Sequence, residues 1–176
     1  MSGHSKWAQI KRQKGVNDAA RSAIFAKLAR RITVESKKAK GDVSAPSLRA
    51  AIDAAKAANM PKENIERAVA KGSASDAASL ESVVYETYGP GGAAIIIDVL
   101  TDNRNRTSAE IKHLLSENGL SLASPGSALW AFEKTAGGFQ PKSAIKLSET
   151  DDAALLQTME QIDAHDDVQE VYTNAE

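Results

Sequence analysis

Lys6, Lys11, Arg12 and Lys14 lie close together with Trp7 among them, and the first acid in the chain is Asp18. Cations at this density neutralise phosphates and release counterions, so affinity for nucleic acid would fall with salt by about one log–log unit per contact. Trp7 has two uses. It can stack on an unpaired base, worth about 1–3 kcal/mol, or it can pin the basic head to a neighbouring helical bundle as an apolar anchor. Arg21, Lys27, Arg30, Arg31, Lys37 and Lys38 continue the positive charge downstream. A continuous basic stripe of this kind is the footprint of a protein that tracks a phosphate backbone. A second candidate is Asp102-Asn103-Arg104-Asn105-Arg106, where Arg104 and Arg106 could contact RNA. Turn and capping chemistry accounts equally well for its Asp and Asn residues.

Catalytic and metal chemistry find no such support. His4, His113 and His165 are scattered over three segments with no zinc-type spacing. Asp163, Asp166 and Asp167 lack the oxygen-ligand spacing of a calcium loop and are expected to be a solvated helix end. No nucleophile, base and orienting group can be assembled. Gly89-Pro90-Gly91-Gly92 resembles a phosphate loop only in its glycines. No GK[ST] follows it, and a hairpin turn is the expected use. We therefore expect a non-enzymatic protein with no cofactor and no metal.

Net charge is −1, yet the charges are unevenly placed. Residues 1–71 carry 16 Lys/Arg and 6 Asp/Glu, residues 72–140 carry 4 and 8, and residues 141–176 carry 2 and 9. A basic third on an acidic remainder points to a polyanion-binding element on a carrier. The competing explanation is internal docking of the basic part on the acidic part. There is no cysteine, which excludes disulfides and thiol chemistry. No apolar run approaches the roughly 20 residues of a membrane span. Lys6 and Lys11 interrupt any signal-peptide core. A cytoplasmic location is expected, with the mitochondrial matrix as the alternative because the start is basic and acid-poor.

The elements that must position these groups follow from periodicity. Ile24, Leu28 and Ile32, with Phe25, predict a helix from Asp18 to Ala39, ended by Gly41 and Asp42. The cations of that helix fall mostly on the side and back of its apolar stripe. A second helix is predicted from Pro46 to Ala58. A third begins at Asn59 or Met60, and Gly72 stops it. Together these make a three-helix bundle over residues 1–72, basic tail included. Ser73 to Ser79 reads as a linker. Residues 80–176 then read as an α+β domain of order β-β-α-β-β-α-β, a mostly antiparallel sheet with helices on one face. Its strands are predicted at Val83–Tyr88, Ala93–Leu100, Ala128–Glu133, Ser143–Leu147 and Val168–Tyr172. A capping box at Thr107-Ser108-Ala109-Glu110 opens one helix, and Ser148 or Thr150 caps the other.

Four stretches carry a family resemblance: M-S-G-H-S-K-W-A-Q-I-K at the start, L-R-A-A-I-D-A-A-K-A-A-N-M-P-K-E-N-I-E-R-A over 48–68, Y-G-P-G-G-A-A-I-I-I-D-V-L-T-D-N-R-N-R-T over 88–107, and D-D-V-Q-E-V-Y-T-N-A over 166–175. They resemble the YebC/PmpR family. The resemblance implies a helical first domain and two α/β lobes, the third inserted within the second. It also implies a DNA-binding transcriptional regulator or, alternatively, a translation factor acting on ribosomal RNA at the ribosome. This chain departs from the pattern after Trp130-Ala131-Phe132-Glu133-Lys134. It passes through residues 135–141 directly to the closing strand-helix-strand, so the inserted lobe is expected to be missing. Nucleic acid, DNA or ribosomal RNA, is the expected partner, and no membrane is involved. A protein–protein adaptor using the acidic half is the reading from a different class.

Overall fold

The computed structural model describes Trp7, Ile10, residues 18–74 and residues 79–176. The chain divides into two compact units. Among the described residues, one is helical (residues 18–74 and 79–81 with Leu100–Asp102), and the other is α/β (Ser82–Val99 and Asn103–Glu176, with Trp7 in its core).

In the helical unit, α1 spans Asp18–Ala39, α2 Pro46–Ala57 and α3 Lys62–Ser73. Ile32 from α1, Leu48, Ala51 and Ala55 from α2, and Ile65 and Ala68 from α3 form one buried cluster with Met60. α1 ends because Gly41 adopts a left-handed backbone (φ +81°) and its N–H donates to the Ser36 carbonyl at 2.9 Å. Pro46 occupies the first turn of α2, where a missing N–H removes no helical bond. Gly72 does not stop α3, which runs on through Ser73. Its role is close approach: a Cβ there would lie 2.3 Å from the Thr33 carbonyl oxygen of α1. The Ser36 hydroxyl donates to Val69 O at 2.7 Å across the same crossing. Small residues let the two backbones meet, and hydroxyls satisfy the contact.

In the α/β unit, β1 (Glu81–Tyr88), β2 (Ala94–Thr101) and β5 (Val168–Thr173) form a sheet of order β1-β2-β5. β2 and β5 are antiparallel, with Ile95 opposite Thr173 and Ile97 opposite Val171. Between β1 and β2 lies a tight turn at Pro90–Gly92, in which Gly91 and Gly92 take positive φ, so the glycines serve a hairpin. Every position of β2 is buried, since both of its faces are covered. Ile95, Ile97 and Val99 pack on helices α4 (Arg104–Glu117) and α5 (Glu149–Asp163) through Ile111, Leu115, Leu155, Met159 and Ile162. Ala94 and Ile96 point the other way, toward Ala131 and Phe132. That second layer is a hairpin of β3 (Phe132–Thr135) and β4 (Gly138–Pro141), with Phe139 edge-on to Tyr172 of β5. Helices on one face and an antiparallel sheet agree with the expected α+β class.

Three local expectations are corrected. Ala128–Glu133 starts as a 3₁₀ turn (Leu129–Ala131), and only Phe132 onward pairs as a strand. The cause is Glu86, whose carboxylate holds the N–H groups of Ala128 and Leu129. Ser143–Leu147 is not a strand: Ile145 makes a single parallel bridge to Ala175, and the Ser143 carbonyl accepts from the Asn174 side chain. Finally, α4 begins at Arg104, earlier than the capping box places it. Asn103 is the cap, accepting from the Arg106 N–H at 3.0 Å. Thr107 lies inside the helix and turns its hydroxyl to Asp167.

Candidate nucleic-acid interface

At about 100° per residue, Phe25, Leu28 and Ile32 turn α1 toward its neighbours, and Lys27, Arg30, Arg31, Lys37 and Lys38 fall on the opposite half. Lys37 and Lys38 are exposed in the last turn, where positive charge also complements the helix's negative end. Lys27, Arg30 and Arg31 are half-buried, and Val34 on the same half is buried. Arg30 donates to the Leu100 carbonyl at 3.3 Å, and Lys38 pairs with Glu35 at 3.0 Å. Part of the stripe therefore also works inside the helical unit. Arg21 is exposed in the first turns of α1, nearer the packed side. Lys6, Lys11, Arg12 and Lys14 lie outside the described residues.

Trp7 is an apolar anchor, one of its two expected uses, but of a different unit from the one expected, and the stacking use is corrected. It is 3% exposed and packs among Ile95, Ile97 and the other core residues of the α/β unit, not against the bundle. No ring face is left for a base. Among the described residues its indole N–H has no partner, an omission costing about 1–3 kcal/mol that burial of so large a ring offsets.

The Asp102–Arg106 segment divides. Arg104 is exposed at the start of α4. Arg106, by contrast, lies 2.8 Å from the buried Asp167 carboxylate and 3.9 Å from Glu110, so the molecule's own acids already engage it. Thr107 donates to the same Asp167 oxygen at 2.6 Å. His165 lies 2.9 Å from Glu110 and accepts the Asp167 N–H on Nδ1 at 3.1 Å, which leaves Nε2 to carry the ring proton toward Glu110. Asp167 was expected at a solvated helix end; it is instead the buried centre of this network. Glu110, His165 and Asp167 bring ligand-type atoms within 4.8 Å of one another. The Arg106 guanidinium already supplies positive charge there, and a bound cation would have to displace it. The network ties α4 to the segment before β5. No local pattern announces it, because Thr107 and Asp167 are sixty residues apart.

Comparison with known proteins agrees with this architecture. Residues 5–75 match the family described as TACO1/YebC protein N-terminal domain, and residues 80–137 match the TACO1/YebC second and third domain. A "Probable transcriptional regulatory protein" of Chlorobaculum parvum is 47% identical over 169 residues, covering 95% of this chain and 67% of that protein. One of the same description from Syntrophobacter fumaroxidans is 43% identical over 178 residues, covering 100% and 72%. The crystal structure of a conserved hypothetical protein from Aquifex aeolicus superposes with a TM-score of 0.85 at 29% identity, covering 98% of this chain and 97% of that one.

Proposed function

Because this chain belongs to the TACO1/YebC family, whose relatives carry the name of transcriptional regulators, we propose that it is a nucleic-acid-binding regulatory protein acting by binding rather than by catalysis. The observation that carries the proposal is the grouping of Lys27, Arg30, Arg31, Lys37 and Lys38 on the half of α1 turned away from the bundle core. Cations so placed meet a phosphate backbone along one line. They orient the protein on the backbone without reading sequence. Binding to duplex DNA in transcription control is the first form of the reading. Binding to ribosomal RNA in translation is the second. Trp7 is buried and offers no ring face to a base, so it favours neither form.

The test is charge reversal at the exposed end of α1. Lys37→Glu with Lys38→Glu should weaken binding to a promoter-length duplex or to ribosomes and reduce the log–log salt slope by about one unit per lost contact. Titration across salt concentrations, beside ribosome co-sedimentation, measures both. Unchanged affinity and slope at low salt would remove the site assignment. Co-sedimentation without any promoter preference would select the second form.

A further inference from the structure

Among the described residues of the α/β unit, Val84, Tyr88 and Trp130 are the large apolar side chains left exposed, and Trp130 is 55% open. The backbone that carries Trp130 is held from β1. Glu86, buried, accepts the Gly126 N–H at 2.6 Å on one carboxylate oxygen and the Ala128 and Leu129 N–H groups at 2.8 and 2.9 Å on the other. Tyr88, two residues along the same face of β1, donates its hydroxyl to the Ser127 carbonyl and accepts the Trp130 indole N–H at 2.9 Å. Five hydrogen bonds thus fix one short turn and the orientation of one exposed ring.

That ring's only polar group is already satisfied by Tyr88, so it offers an approaching molecule flat π-surface and no hydrogen-bond edge. Nucleobases suit such a surface, and recognition by stacking tolerates any base. Lys142 is exposed, and its N–H donates to Ala131 O at 2.9 Å, which brings a cation beside the turn for the adjoining phosphate. A protein partner fits less well. Stable protein interfaces cover about 800 Å² on each side around an apolar centre. Here Val84 stands four residues from Tyr88 along the strand, about 13 Å away, and leaves the centre sparse.

We propose that Trp130, oriented by Tyr88 and Glu86 and flanked by Lys142, is a stacking platform for an unpaired nucleobase. This rests on the nucleic-acid reading above and deepens it: the target carries single-stranded nucleotides as well as backbone phosphates.

The chain holds two tryptophans, Trp7 buried and Trp130 exposed, so its own fluorescence reports the contact. The full chain is titrated with single-stranded oligoadenylate of about twelve nucleotides, as RNA and as DNA, and with a duplex of the same length. Single strands should quench the exposed component of the emission. Trp130→Ala should abolish the quench and weaken single-strand binding by about 5- to 150-fold, the range for one stacked base, with duplex affinity unchanged. Trp130→Phe, which keeps a ring, should retain most of the affinity. The buried emission of Trp7 shows that each variant is folded. Single-strand affinity unaltered in Trp130→Ala, with binding otherwise intact, overturns the platform alone and leaves the patch to a protein partner. An equal loss for single strand and duplex overturns it too. If the native chain binds neither, the nucleic-acid reading falls with it.

Discussion

Gly72→Ala separates two opposite expectations for one methyl group. On helix propensity alone, alanine inside α3 should stabilise by about 1 kcal/mol. The crossing with α1 says otherwise. The added Cβ would stand 2.3 Å from Thr33 O, 2.7 Å from the Ser36 Cβ and 3.1 Å from Lys37 N. Ordinary carbon contacts begin near 3.5 Å, and the closest of these atoms is backbone, which cannot rotate away. The helices must separate by about 1 Å, straining the Ser36–Val69 bond at 2.7 Å and the Thr33–Ala68 bond at 3.3 Å. Overpacking of this kind costs about 1–3 kcal/mol, and two weakened hydrogen bonds add about 1 kcal/mol each. After the propensity gain, the net destabilisation is about 2–4 kcal/mol. Urea unfolding followed by circular dichroism at the helix band should show a lower midpoint for the variant. The change also moves Lys37 and Lys38, so affinity for polyanions should fall with it. A midpoint equal to or above that of the native chain would refute the close-approach argument and leave propensity in charge.

Two further outcomes are expected. Asp167→Asn removes the carboxylate charge that Arg106 and Thr107 share, and should destabilise the α/β unit by about 1–3 kcal/mol, read as a lower unfolding midpoint; an unchanged midpoint would show that solvent supports Arg106 just as well. Asp42 is held below the usual carboxylate range by the hydroxyl and then the backbone N–H of Ser44, so the stability it contributes is present above the ordinary carboxylate pKa and is lost as pH falls through its lower folded value. In Ser44→Ala the Asp42 carboxyl should titrate closer to its ordinary value by NMR, and no movement would remove Ser44 as the cause.

What could be read in advance was whatever depends on period and local chemistry. The apolar spacing of α1, the run Ala94–Leu100 and the Ser148 cap all act through neighbours in the chain, and each appears in the structure. What could not be read depends on distant partners. Thr107 has the sequence of a capping residue, yet Asp167 claims its hydroxyl. Trp130 sits in a strand-like stretch, yet Glu86 takes the amides that a ladder would need. Gly72 stands near the end of a helix and reads as a stop, although its hydrogen atom is what α1 packs against. The two tryptophans show the same limit. Surrounding cations leave Trp7 open to stacking or anchoring and a strand pattern surrounds Trp130, but the first is buried and the second is open.

The uneven charge of the chain first admitted two explanations, a polyanion partner or internal docking of the basic part on the acidic part. Several acids of the later segments have local work. Glu149, Asp151 and Asp152 lie in the first turn of α5, where negative charge opposes the helix's positive end. Asp151 also accepts the Ser148 hydroxyl at 2.9 Å. Asp167 and Glu110 engage Arg106 and His165, and Glu86 is committed to three backbone amides. These acids cap a helix, dock a loop or bridge to a residue of their own unit. Of the cations of α1, Lys38 pairs with Glu35 and Arg30 donates to the Leu100 carbonyl, and the five are gathered on one half of the helix. A helix gains little by gathering like charges on one side, since neighbours three and four apart repel, and a polyanion laid along that side reverses the sign of the effect.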